Sequence, residues 1–273
     1  MRSATWQFES FSLENVAQAL LGRGKDITKP QDRGGKIQRM YRQDPASLVR
    51  DNLEDCRLVW DIFVKADLMA FLIERARLTG LPMDRVGGSS QAFDHLYLPR
   101  LHRQGYVAPA FASGQAGESP GGFVMDSKPG LYRNVLVLDF KSLYPSIIRS
   151  FKIDPLGLIQ GLQEVDAISG YKGAQFSRRQ TVLPDIISDL WAARDVAKAK
   201  NNTPLSMSIK IVMNSCYGAL GSSLCRFYDQ RLASSITMRG HAVLNQTKDL
   251  IQQQGMQVIY GDTDSVFVWL GDE

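Results

Sequence analysis

The sequence predicts a mixed α+β protein: an antiparallel sheet backed by helices, a helical hairpin beside it, and a mostly helical amino-terminal part. Three observations carry this. Val258 to Trp269 holds two β-rich apolar arms around a tight Gly-Asp-Thr turn, a hairpin pattern. Asn134 to Phe140 is an unbroken Val/Leu run ending in Asp139, as in a strand buried on both faces. Long segments elsewhere repeat apolar residues at helical spacing.

Taken in order, Ser10 to Leu21 reads as an amphipathic helix stopped near Gly22 and Gly24. Lys25 to Arg39 is polar and contains glycine, which predicts a loop. Pro45 to Leu81 carries one long helical pattern, ended by Gly80-Leu81-Pro82 at an expected domain boundary. Phe111 to Gly122 is rich in Gly, Ser, Ala and Pro and reads as a loop. After Asp139, Lys141 to Ile148 forms a turn entering a short helix.

Leu183 to Lys200 is a helix opened by Pro184 and Asp185, both favoured in a first turn. Asn201 to Pro204 is a turn, and Leu205 to Tyr217 a second helix lying antiparallel to the first. Arg231 to Gln254 is a third long helix, capped at Gly255 and expected on the back of the sheet.

The chain has 273 residues, enough for one large domain or two small ones. Its hydrophobic content of 44% and charged content of 22% are those of a soluble globular protein. A net charge of +4 is compatible with nucleic-acid binding without demanding it. Cys56, Cys216 and Cys225 are widely spaced, which excludes a zinc cluster or disulfide framework. No signal peptide or membrane span is visible, so a cytoplasmic location is expected.

The chemistry gathers in two places. Asp262 and Asp264 stand two apart at the hairpin tip, on one side by period-two geometry. Such carboxylates repel unless a cation lies near them, and Mg2+ takes oxygen ligands of this kind. Taken alone, the tip also reads as a solvated turn, and Asp139 as a helix cap. Asp139 offers a third carboxylate. On the helical hairpin, Arg194 and Lys198 share a face, and Lys210, Asn214 and Tyr217 form a polar face on the partner helix. Cations clustered in this way suit a triphosphate.

Asp139-Phe140-Lys141-Ser142-Leu143-Tyr144-Pro145-Ser146-Ile147-Ile148 resembles motif A of family B DNA polymerases. Tyr260-Gly261-Asp262-Thr263-Asp264-Ser265 resembles their motif C, and Lys210 to Gly218 their motif B, in the family's order. Asp51 to Asp55 is similar to the third exonuclease motif, with Asp51 where the family has Tyr and Asp55 at its metal-binding position. Gly121-Gly122-Phe123 resembles the family's template-contacting Tyr-x-Gly-Gly region.

The resemblance implies residues 1–80 as the remnant of a ribonuclease-H-like 3'–5' exonuclease domain. It implies residues 81–180 and 223–273 as the palm and 181–222 as the fingers. It implies template-directed DNA synthesis of the replication-restart or repair type. Two Mg2+ ions, or Mn2+, would be held by Asp139, the Phe140 carbonyl and Asp264, with Asp262 in a less direct role. Ser142 and Leu143 amides, Arg194, Lys198, Lys210 and Asn214 would bind the dNTP, and Lys210 would protonate pyrophosphate. Tyr144 would be the steric gate against ribose.

Tyr217, Gly218, Thr263, Gly121, Gly122 and Phe123 would meet primer-template DNA. Partners would be DNA, dNTP and, for a full-length enzyme, a sliding clamp. The chain is expected to lack the family's thumb, amino-terminal domain and most of the exonuclease, which would leave Asp55 an exposed helix acid without partner ligands. By itself the chain would then be weak or inactive. Two other readings stand beside this one: another two-metal nucleotidyl enzyme, and a non-enzymatic DNA-binding remnant.

Overall fold

The computed structural model describes residues 6–25, 33–111 and 120–271. The amino-terminal part is helical: α1 (Leu13–Leu21), α2 (Arg33–Gln43), α3 (Pro45–Lys65) and α4 (Leu68–Thr79). Ser12 caps α1 by accepting from the Asn15 N–H, and Gly22 ends it at φ 68°. Val16 and Ala17 of α1 pack with Leu58 and Ile62 of α3 and with Leu68 in one small core.

Two expectations change here. Half of the loop read over Lys25 to Arg39 is α2; residues 26–32 lie outside the described residues. Gly34 and Gly35 suggested a break, but the Lys, Gln, Arg and Met that follow are good helix formers, and α3 packs against them. The single helix read over Pro45 to Leu81 is two helices, broken at Asp67, whose φ of 48° an Asp side chain tolerates better than most. Gly80, at φ 64°, ends the second as expected.

A helix missed in the sequence, α5 (Ser89–Arg103), follows and carries Pro99 inside it. Its Phe93, Tyr97 and Leu101 enter the main core. Then come β1 (Val135–Asp139), α6 (Leu143–Ser150), α7 (Pro155–Gly161) and a small unforeseen hairpin, β2 (Ile168–Ser169) and β3 (Gln175–Phe176). The expected helical hairpin is α8 (Leu183–Ala199) and α9 (Thr203–Leu220), turned at Asn201, φ 54°. The chain then runs through α10 (Gln230–Gln253), β4 (Gln257–Asp262) and β5 (Ser265–Trp269). The main core lies among α5–α10.

The three-stranded sheet is antiparallel in the order β1–β5–β4. α10 lies beneath it, where Leu244 meets Val258, Val266, Val268 and Met125. The expectation that β1 is buried on both faces is not met. Among the described residues β1 is an edge strand bonded only to β5, and all five of its residues are exposed, Val137 to 52%. The Val/Leu run reports strand propensity; burial depends on neighbours that the described residues do not supply. Among the described residues no helix is long and apolar enough to cross a membrane.

Candidate active site

The sheet brings the distant carboxylates to one end. Asp139 on β1 pairs with Ser265 on β5, and Ser265 pairs with Asp262 on β4, so the three share one rung. Asp264 follows Thr263, which sits at φ 51°, in the turn. Strand alternation therefore does not place Asp262 and Asp264 on one side, as the sequence suggested, because Asp264 is not in a strand. The turn delivers it: the Asp264 N–H donates to the Asp262 carbonyl at 2.5 Å, and the Asp264 carbonyl accepts from the Phe140 N–H at 2.8 Å. The exposed Asp262 carboxylate accepts from the Thr263 hydroxyl at 2.8 Å.

The charges at the tip act on one another. Partial burial pushes the Asp264 carboxyl above its ordinary value, and the negative charges of Asp139 and Asp262 push the same way. Its own backbone N–H and the Lys210 ammonium pull it down. Lys210 is on α9, so a charge on the helical hairpin acts on Asp264 at the sheet's tip.

The expected cation cluster forms. Arg194 and Lys198 from α8 and Lys210 from α9 line one pocket of about 300 Å3 with Asn201, Asn202, Thr203, Ser206 and Met207. Arg194 Nε is buried and has no hydrogen-bond partner among the described residues. Asn214 is exposed one turn beyond Lys210, outside this lining. The residues at the hairpin's tip were not expected in the pocket. Thr203 and Ser206 share the helical face of Lys210, so the spacing could have found them.

α6 begins at Ser142, at φ 52°, whose side chain makes no capping bond. Leu143 is buried behind this first turn. Tyr144 lies half-buried, its ring centroid 4.6 Å from that of Tyr217 on α9. Burial pushes its hydroxyl up to about 12, helped by Tyr217 and Asp264. Gly240 of α10 is close behind: a Cβ there would come within 3.3 Å of the ring. Gly218 is exposed on the last turn of α9.

Gly121, Gly122 and Phe123 lie along the hairpin tip. The Thr263 N–H donates to the Phe123 carbonyl at 2.7 Å, and His241 Nε2 donates to the Gly121 carbonyl at 3.0 Å. His241 also faces the Phe123 ring at 5.1 Å, a contact the sequence did not signal. A Cβ on Gly122 would stand 2.7 Å from Thr263 Oγ1, so any side chain here must displace that hydroxyl.

Asp55 lies far along the chain from these groups and differs from its expected state. It is half-buried on α3 in an ion pair with Lys25, and its Oδ1 is buried without a partner among the described residues. Asp51 is buried as well.

No group of three or more His, Cys, Asp or Glu among the described residues is arranged to hold a metal ion. The tip offers less: Asp139 and Asp264, with Phe140 following Asp139 and tied by its N–H to the Asp264 carbonyl. That set fits Mg2+, which uses one or two carboxylates and fills its octahedron with water and substrate phosphates. A cation here would relieve the repulsion that Asp139 and Asp262 exert on Asp264.

This mixed helix and sheet fold is shared with DNA polymerases, and the chain belongs to DNA polymerase family B, whose profile matches residues 83–273. It is 57% identical to DNA polymerase II of Escherichia coli K12, over 99% of this chain and 35% of that protein. It is 27% identical to the DNA polymerase alpha catalytic subunit of Mus musculus, over 95% of this chain and 21% of that one. The family B DNA polymerase of Pyrobaculum calidifontis superposes with a TM-score of 0.74 at 26% identity, covering 96% of this chain and 37% of the solved one. The chain thus spans between 21% and 37% of the length of these relatives.

Proposed function

We propose that this chain carries the catalytic centre of a template-directed DNA polymerase close in kind to DNA polymerase II, acting in replication restart or repair. Residues 81–180 and 223–273 serve as palm, residues 181–222 as fingers, and residues 1–80 as part of an exonuclease domain. The observation that carries the reading is that Lys210 reaches the field of Asp264 while lining the Arg194–Lys198 pocket. That links a phosphate grip to a carboxylate pair. A nuclease has no need of the grip, and a passive DNA-binding remnant has no need of either.

Asp139 and Asp264, with the Phe140 carbonyl, would hold two Mg2+ ions, or Mn2+. When bound, such ions supply Lewis-acid chemistry at a primer 3'-hydroxyl and at the leaving pyrophosphate. Arg194, Lys198 and Lys210 grip the triphosphate, with the Ser142 and Leu143 amides and Asn214 alongside, and Lys210 gives the departing pyrophosphate a proton. Asp262 supports the field of the tip. Tyr144 closes the floor under the sugar, where a ribose 2'-hydroxyl would clash. Tyr217, Gly218, Thr263 and the Gly121-Gly122-Phe123 segment line the path of primer-template DNA, and a sliding clamp would act through the full-length protein.

Titration of the chain with fluorescent dATP tests this. Binding should require Mg2+, and Lys210→Ala should weaken it about tenfold, the weight of one charge-assisted hydrogen bond. Asp139→Asn should abolish the Mg2+ dependence. Binding that ignores both substitutions would refute the assignment.

A further inference from the structure

Asp154 is fully buried, yet the chemistry above does not use it. It ends the loop after α6, and every hydrogen-bonding neighbour it has is a donor. Its carboxylate accepts from the N–H groups of Gly157 at 2.7 Å, Val182 at 3.1 Å and Leu183 at 2.6 Å. The Tyr97 hydroxyl donates to both oxygens, at 3.1 and 3.2 Å, and itself accepts from the Leu156 N–H at 3.0 Å. One carboxylate therefore caps α7, seizes the first N–H groups of α8 and holds Tyr97 of α5. Val182 has a non-helical backbone and no side-chain cap of its own, so Asp154 takes the place of a local capping residue for α8.

The cost of burying such a group is large, and burial pushes its carboxyl above the ordinary value against the pull of these donors. A core stabilised for its own sake would do as well with an apolar residue. What the carboxylate adds is a fixed direction for α8. Arg194 sits eleven residues beyond Leu183, about 16 Å along the axis. A tilt of roughly 5° at the base would move it by more than about 1 Å, enough to spoil a phosphate grip.

We infer that Asp154 is a positioning residue: by holding the Val182 and Leu183 N–H groups it sets the angle of α8 and so the aim of Arg194 and Lys198 at the nucleotide phosphates. The inference rests on the polymerase reading. It predicts that a substitution at Asp154 changes nucleotide affinity, whereas an equally destabilising change elsewhere in the same buried cluster does not.

The test compares Asp154→Ala, Asp154→Ser and Tyr97→Phe in the 273-residue chain, by thermal melting and by titration with fluorescent dATP and Mg2+. Serine keeps the cap on α7 but is too short to reach α8, and it remains available should the alanine variant not fold. Both Asp154 variants are expected to lose about tenfold or more in dATP affinity. Tyr97→Phe should lower the melting temperature while keeping the affinity, because the bonds to Val182 and Leu183 remain. Wild-type affinity in a folded Asp154 variant, or equal loss in Tyr97→Phe, would overturn the positioning role. Failure of the wild-type chain to bind would instead bring down the polymerase reading, and this inference with it.

Discussion

The Phe140 N–H and the Asp264 carbonyl, 2.8 Å apart, tie the end of β1 to the turn between β4 and β5. Residues from the two ends of the sheet's sequence thereby share one backbone contact, and their acidic neighbours share one field. Asp264→Asn should remove Mg2+-dependent dATP binding without lowering the melting temperature of the metal-free chain. The sign follows from the raised carboxyl: its favourable contribution is complete below the ordinary Asp value and is lost as pH rises through the raised one. Near neutral pH the neutral amide therefore relieves repulsion. A clear fall in melting temperature at neutral pH would contradict this.

Tyr144→Ala should narrow the preference for dATP over ATP by about tenfold in competitive binding with Mg2+, about the effect of removing one steric clash. It should also cost about 3 kcal/mol of stability in urea unfolding, since a half-buried ring against Tyr217 is lost. Stability loss with unchanged discrimination would return Tyr144 to a packing role.

Gly122→Ala should destabilise by about 1–3 kcal/mol, because its Cβ meets Thr263 Oγ1 at 2.7 Å. The double variant Gly122→Ala with Thr263→Ala should recover most of that loss. Simple additivity of the two substitutions would mean that the loop does not press on the hairpin tip.

The hairpin, the helical pair and the cationic cluster were legible because each depends on local pattern: period two, period 3.6 and a short turn. Arg194, Lys198 and Lys210 meet because antiparallel helices force facing stripes together. What escaped depends on tertiary neighbours. The Val/Leu run of β1 promised burial that only a neighbouring strand or helix could supply. The break at Asp67 leaves the helical pattern nearly intact on both sides. Neither His241 nor Asp154 belongs to a recognisable motif, and their roles arise from partners 120 and 28 or 29 positions away.

A purified polypeptide of residues 1–273 is expected to bind nucleotide weakly and to extend a primer poorly or not at all. Duplex DNA is held through many phosphate contacts, and a charge of +4 on this chain offers few. It should also leave 3' ends intact, since Asp55 is engaged by Lys25. Primer-extension and end-degradation assays measure both, and processive synthesis by this polypeptide would contradict the first expectation.

The central claim is that Asp139 and Asp264 form a divalent-cation site facing the Arg194–Lys198–Lys210 pocket. Crystals of the chain grown with Mn2+ and dATP, measured for anomalous scattering at the manganese edge, address it most directly. The account predicts manganese liganded by Asp139, Asp264 and the Phe140 carbonyl, with the triphosphate reaching toward Lys210. Manganese bound elsewhere, with these carboxylates bare, would contradict it.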